Sequence, residues 1–292
     1  MLGSMLLLAA CNKEDGDKTT AAEKVQRNLS YGSDTRQQMD LYLPAGRDSQ
    51  TPLLIFLHGG GFVAGDKNDV DEVARLFLAR GYAVVNMNYR LVDSAGLTRK
   101  PVWHQASAIK ITDQLADIDA AVAYAAAHNQ EWRISASRWV LAGHSAGATL
   151  ALLYAHGERN SSRQVKAAAN FAGATTFAFS DESEAALLDP ALVEVLYRAI
   201  GKEATNANKL AYMAHSPFWI SNNSGNLVPV INVRPALDSG HELYQAYTAM
   251  LNGKAVVNQY LVIEGAGHGF DPEGKWAEAV AGAHQFLQAA GF

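Results

Sequence analysis

The chain has 292 residues, with 24 basic and 29 acidic side chains and a formal charge of −5. Hydrophobic residues make up 49% and charged ones 18%, a globular balance that excludes a disordered chain, and the mild acidity leaves no basic footprint for nucleic acid. A single cysteine, Cys11, excludes an intrachain disulfide and a thiolate metal cluster.

The N-terminus opens on an apolar run, Met5 to Ala10, far short of the ~20 residues that span a bilayer. Small residues after an apolar stretch mark a signal cleavage site. Leu8-Ala9-Ala10-Cys11 resembles the bacterial lipoprotein signal, which implies a lipidated Cys11, a lipid anchor to a bacterial membrane and a place in the cell envelope; without lipidation the chain would be periplasmic or secreted. No Lys or Arg precedes Cys11; a start codon set too far downstream would account for that. Residues 12–24 are polar and read as a tether. Residues 1–27 are accordingly expected to be a signal-like N-terminus and tether, and residues 28–292 one catalytic domain.

Short apolar runs then alternate with longer amphipathic stretches. Met39–Leu43 alternates with period two, as a half-buried strand does, and Pro52–Leu57 is a continuous apolar run of the kind a buried strand shows. Helical spacing follows over Asp69–Arg80, stopped by Gly81. Strands are predicted at Ala83–Met87, Trp139–Ala142, Val165–Phe171, Val228–Val233 and Tyr260–Ile263. Helices are predicted at Asp113–His128, Ala146–His156, His241–Leu251 and Trp276–Ala290. Such alternation predicts an α/β fold, a mostly parallel central sheet with helices on both faces. Ligands of such sheets bind at the carboxyl ends of the strands, so chemistry is sought just after each apolar run.

Trp139–Ala142 runs straight into Gly143-His144-Ser145-Ala146-Gly147. G-x-S-x-G between a strand and a helix is the sharp turn that lifts a serine hydroxyl clear of the backbone at a helix N-terminus. Ser145 is therefore the candidate nucleophile. A serine that merely caps the helix would not need the second glycine. Pro52–Leu57 ends in His58-Gly59-Gly60-Gly61-Phe62, where bare glycines can turn backbone N–H groups towards a substrate carbonyl. The amides of Gly60, Gly61 and Ala146 are the expected oxyanion donors, and His58 is expected to orient the loop.

Tyr260–Ile263 is followed by a glycine-rich loop carrying His268, which can reach Ser145, accept its proton and return it to the leaving group. After Val228–Val233 comes Asp238, the candidate acid that would hold the imidazole tautomer. Glu264 and Asp271 are alternatives, but both lie close to His268 in sequence and are poorly placed to reach Nδ1.

Ser145, Asp238 and His268 follow the chain order of one hydrolase class. With HGGGF at 58–62, NYRL at 88–91, GHSAG at 143–147 and GAGHGF at 265–270, the chain resembles α/β-hydrolases of the carboxylesterase/lipase type, near the hormone-sensitive-lipase-like and the feruloyl or acetyl-xylan esterase-like groups. The resemblance implies a serine carboxylic-ester hydrolase, working through an acyl-enzyme without cofactor or metal, on short-chain or carbohydrate-linked acyl esters. Its rivals are an amidase or arylformamidase on the same triad and an inactive relative serving as a binding module. The chain departs from such relatives in carrying Arg234-Pro235 where a His-Gly dipeptide usually precedes the acid. Residues 175–227 form an insertion with helical patterns, expected to be a small lid or acyl pocket over the serine. Phe62 and Trp103 are the expected pocket walls.

Overall fold

A computed structural model describes residues 21–292; the expectations for Cys11 and its surroundings lie outside the described residues. The strands are β1 (Lys24–Ser30), β2 (Gln38–Leu43), β3 (Leu53–Leu57), β4 (Ala83–Met87), β5 (Trp139–His144), β6 (Ala167–Phe171), β7 (Val230–Pro235) and β8 (Asn258–Ile263). They form one sheet in the order β1-β2-β4-β3-β5-β6-β7-β8. The first two strands run antiparallel to their neighbours, and β3 to β8 are mutually parallel.

The central strands are continuous apolar runs because both their faces are covered. Leu53, Ile55 and Leu57 of β3 enter one core, while Leu54 and Phe56 enter the other. The helices are α1 (Asp71–Leu78), α2 (Ile111–Trp132), α3 (Ala146–His156), α4 (Glu182–Ala185), α5 (Pro190–Ile200), α6 (Lys209–Met213), α7 (Pro217–Asn223), α8 (His241–Gly253) and α9 (Lys275–Ala289). Side chains of α2, α3 and α8 fill the first core, and those of α1 and α9 fill the second. α3 is buried along its whole length, which explains why its apolar residues are not confined to one stripe.

Three expectations need correction. β1 pairs with β2 from Lys24 onward, so the folded domain includes residues 24–27, which the sequence had assigned to the tether. β1 is a polar edge strand, exposed along much of its length, and an edge strand need not carry an apolar pattern. β2 is not half-buried: Met39 to Leu43 are all buried, with Asp40 neutralised by Arg27 and Lys67 at 2.7 and 3.0 Å. The insertion also holds a helix that periodicity missed, α7, which starts on Pro217 and is seven residues long.

Candidate active site

The strand-to-helix turn at β5–α3 places Ser145 at φ 50° and ψ −122°, a strained conformation for a residue with a side chain. Its amide donates to the Phe171 carbonyl at 2.8 Å, pinning the turn to β6. Close packing holds the turn in place. A Cβ on Gly147 would lie 2.3 Å from the His58 carbonyl oxygen, and one on Gly59 would lie 2.7 Å from His144 Nδ1 and 3.2 Å from Ser145 Cβ. The serine turn and the glycine-rich loop therefore touch backbone to backbone.

Ser145 Oγ lies 2.9 Å from His268 Nε2, and His268 Nδ1 lies 2.8 Å from Asp238 Oδ2. The carboxylate accepts a hydrogen bond from Nδ1–H, which fixes the tautomer and leaves Nε2 to accept from the serine hydroxyl. The loops after β5, β7 and β8 thus bring Ser145, Asp238 and His268 into one chain of hydrogen bonds. Glu264 and Asp271 take no part in it. His144 donates from Nε2 to the His268 carbonyl at 2.8 Å, so the residue preceding the serine also fixes the histidine loop. Desolvation pushes the His144 imidazole down to about 4, which keeps it neutral.

His58 is fully buried and stacks on Tyr89 with ring centroids 4.3 Å apart. Its Nδ1 donates to the Gly59 carbonyl at 2.7 Å, and its Nε2 accepts from Arg36 at 3.2 Å. Burial pushes it down to about 4. A neutral imidazole with both nitrogens engaged supports the loop and moves no proton. The Tyr89 hydroxyl donates to the His58 carbonyl at 2.8 Å, and Gln114 donates to the Phe62 carbonyl at 2.9 Å. The NYRL stretch is thus a buttress beneath the loop, with Arg90 anchored on buried Asp117 at 2.7 Å.

Gly61, Ala146, Ser145 and His268 line a cavity of about 440 Å³. Gly60 sits one residue behind its wall, its carbonyl accepting from Val63 and Ala64. Among the described residues, no acceptor takes up the amides of Gly60, Gly61 or Ala146. The remaining wall is largely apolar and includes Phe62, Phe177, Val195 and Leu196. Phe62 lines the cavity edge-on to Phe177, with ring centroids 6.0 Å apart. A second apolar space of about 320 Å³ adjoins the cavity and shares Phe177, Leu192, Leu196 and Leu243 with it.

Trp103 does not line the cavity. It is 47% exposed, its amide bonds to the Gly96 carbonyl, and Arg99 lies 4.5 Å over its ring. The loop folds back on itself and holds the indole away from Ser145. Four supporting residues escaped the sequence reading: Arg36, Gln114, His144 and Arg234. His144 had a readable signal in its place within G-x-S-x-G, and Arg234 showed only as a departure from the pattern before the acid. Arg36 and Gln114 come from distant segments whose convergence no local pattern reveals.

Fold and constellation together define an α/β-hydrolase. The chain belongs to the BD-FAE family, whose sequence model matches residues 39–231. Among curated proteins it is similar to Lipase 2 of Moraxella sp. (strain TA144), 38% identical over 103 residues, 35% of this chain and 21% of that protein. It is also similar to kynurenine formamidase of Salmo salar, 24% identical over 141 residues, 48% of this chain and 42% of that protein. The chain thus spans less than half the length of these relatives. A truncated carbohydrate esterase from gut microbiota superposes with a TM-score of 0.69 at 17% identity, over 91% of this chain and 96% of that one. At that identity the likeness concerns the fold.

Proposed function

We propose that the protein is a serine carboxylic-ester hydrolase acting on small esters through an acyl-enzyme. The carrying observation is the Ser145–His268–Asp238 hydrogen-bond chain, with contacts of 2.9 and 2.8 Å, at the wall of an apolar cavity. Ser145 Oγ attacks the ester carbonyl as its proton passes to His268 Nε2. The amides of Gly61 and Ala146, backed by Gly60, receive the oxyanion. Asp238 stabilises the imidazolium, which then protonates the departing alkoxide. Water, deprotonated by the same imidazole, attacks the acyl carbonyl, and the imidazolium returns the proton to Ser145 Oγ as the acyl–oxygen bond breaks and the acid is released.

The substrate class is a short-chain or carbohydrate-linked acyl ester; the apolar wall made by Phe62, Phe177 and Leu196 suits the acyl group. The test is hydrolysis of p-nitrophenyl acetate, butyrate, octanoate and palmitate by the wild type and by Ser145→Ala. Turnover that falls toward palmitate and drops ~10⁴-fold or more in the variant is expected. Equal turnover by both proteins, or none by either, would overturn the reading.

The partial likeness to kynurenine formamidase supports a second reading, cleavage of an aryl formamide by the same serine. An N-formyl arylamine turned over faster than its matching ester would favour it. We also propose export and lipidation at Cys11, supported by Leu8-Ala9-Ala10-Cys11. Fatty-acid labelling of the expressed protein, lost in Cys11→Ala, is the expected result, and an unlabelled wild type would refute it.

A further inference from the structure

Arg234 stands at the end of β7, four residues before Asp238, and its side chain is 11% exposed at the cavity wall. Nη1 donates to the Tyr244 hydroxyl at 2.9 Å and lies 3.3 Å from Asp238 Oδ2. Nη2 donates to the Ser239 carbonyl, and the guanidinium carbon sits 4.5 Å over the Tyr244 ring. The Tyr244 hydroxyl donates onward to the Gly173 carbonyl. Gly173 abuts the serine turn closely enough that a Cβ there would lie 2.7 Å from the Ser145 carbonyl oxygen. One cation therefore ties together the acid loop, the first turn of α8 and the end of β6 beside the nucleophile.

The oxygen that Arg234 approaches is the one that receives His268 Nδ1. Among the described residues, these two are the side-chain partners of the Asp238 carboxylate. With the imidazole and the cation converging on one oxygen, Oδ2 is the atom whose place is fixed, and a planar guanidinium tied to its own acceptors fixes it better than a flexible ammonium does. Arg234 is not arranged to seize a substrate anion. Both terminal nitrogens already face protein acceptors, and Nε is buried without a partner, closed to solvent and to the cavity.

We propose that Arg234 is a positioning residue for the acid, acting through Asp238 to hold its Oδ2 on His268. The proposal rests on the ester-hydrolase reading for its kinetic consequence but not for its geometry. The experiment compares the wild type, Arg234→Met, Arg234→Lys and Tyr244→Phe. It measures kcat and KM on p-nitrophenyl butyrate and on mono-p-nitrophenyl glutarate, whose acyl chain ends in a carboxylate, and the downfield proton NMR resonance of His268 Nδ1–H.

In Arg234→Met, kcat is expected to fall about 10–100-fold on both esters, with KM unchanged within about 2-fold because uniform binding is untouched. Arg234→Lys recovers part of the loss. The downfield resonance broadens or disappears in the Met variant and returns in the Lys variant. Tyr244→Phe, which keeps the cation and removes one of its anchors, shows a smaller fall in kcat and keeps the resonance. This variant carries the test if Arg234→Met fails to fold. A KM that rises on the glutarate ester alone, with kcat intact, would make Arg234 a substrate anchor and overturn the proposal. So would an unchanged kcat and resonance in Arg234→Met. A wild type without Ser145-dependent turnover would sink the ester-hydrolase reading alone, since the resonance reports the Asp238–His268 bond without any turnover.

Discussion

The carboxyl end of the sheet and the helical insertion over it are built on different principles. At the sheet end, each functional group sits close beyond a strand, and neighbouring loops meet at backbone contact: Gly147 against the carbonyls of Leu57 and His58, Gly173 against the Ser145 carbonyl. The insertion rests on side chains. Its α5 supplies Leu192, Val195 and Leu196 to the cavity wall and is fixed by a polar clamp at Arg198. Fully buried, that guanidinium pairs with Glu194 at 2.6 Å and donates to the carbonyls of Asp93, Ala95 and Trp103. Backbone contact gives a geometry that cannot relax, whereas side-chain contact gives a wall that can be recut. The chemistry should therefore be brittle at the sheet end and the selectivity adjustable in the insertion.

The severest test of the brittle half is Gly147→Ala. Alanine is favoured over glycine within a helix by about 1 kcal/mol, so any loss must come from the 2.3 Å approach of the new Cβ to the His58 carbonyl. We expect kcat/KM on p-nitrophenyl butyrate to fall ~10²–10³-fold, the size of losing one oxyanion donor, as the helix moves off the glycine-rich loop. Retained activity would mean that the serine turn tolerates displacement and that the contrast with the insertion is false.

Arg198→Met asks the converse. Breaking a buried pair by removing one partner costs about 3–5 kcal/mol, because among the described residues Glu194 then keeps only His104 and the Gln105 amide as donors. Urea unfolding should register a loss of that order, while turnover of the smallest ester, p-nitrophenyl acetate, stays within a few-fold of wild type per folded molecule. A collapse of acetate turnover would make the insertion part of the catalytic frame.

The same contrast governs what the sequence made legible. Strands β3, β4 and β5 and helix α3 were readable because burial on both faces, or all round, writes itself into continuous apolar runs. Ser145 and Asp238 were readable because each follows such a run, and His268 because it follows the apolar stretch Tyr260–Ile263 of the partly buried edge strand β8, each in a loop whose glycines or turn residues point to chemistry more than to packing. Edge strand β1 was not, since Lys24–Ser30 lies at the sheet border and is mostly exposed. Trp103 was misplaced because position in the chain says nothing of which way a loop folds back. Arg234 was visible only as a departure from a pattern. Its contacts with Tyr244 and Ser239 depend on how α8 docks, which is a tertiary fact.

The adjustable half is tested by Phe177→Ala. Phe177 borders both the reaction cavity and the adjoining apolar space, and its truncation should merge them. Each methylene newly buried is worth about 0.8 kcal/mol, or roughly 4-fold in kcat/KM. The ratio of octanoate to acetate turnover should therefore rise by one or two such steps while acetate turnover changes little. A uniform loss on all esters would assign Phe177 to the frame.

The smallest expected effect is one of pH, and its sign should differ between the regions. His58, His144 and His156 are each held near 4 by burial, below the ordinary histidine value near 6.5. The unfolded chain takes up these protons first, so stability should decline as pH falls from about 6.5 towards 4. His104 behaves oppositely. Its two nitrogens face Glu194 at 2.8 Å and Glu203 at 2.9 Å. Its ring lies against Tyr197, and the neighbouring Arg198 is already engaged with Glu194. The hydrogen bond to Glu194 chiefly raises its affinity for a proton. This contribution is complete below the unfolded value and is lost as pH rises through the raised folded one, and solvent exposure keeps it small. Hydrogen exchange corrected for intrinsic rates should therefore show α5 loosening on the alkaline side while β3 and α3 remain protected, and His104→Asn should remove that dependence. If α5 and the sheet loosen together, the clamp does not isolate the insertion from the frame.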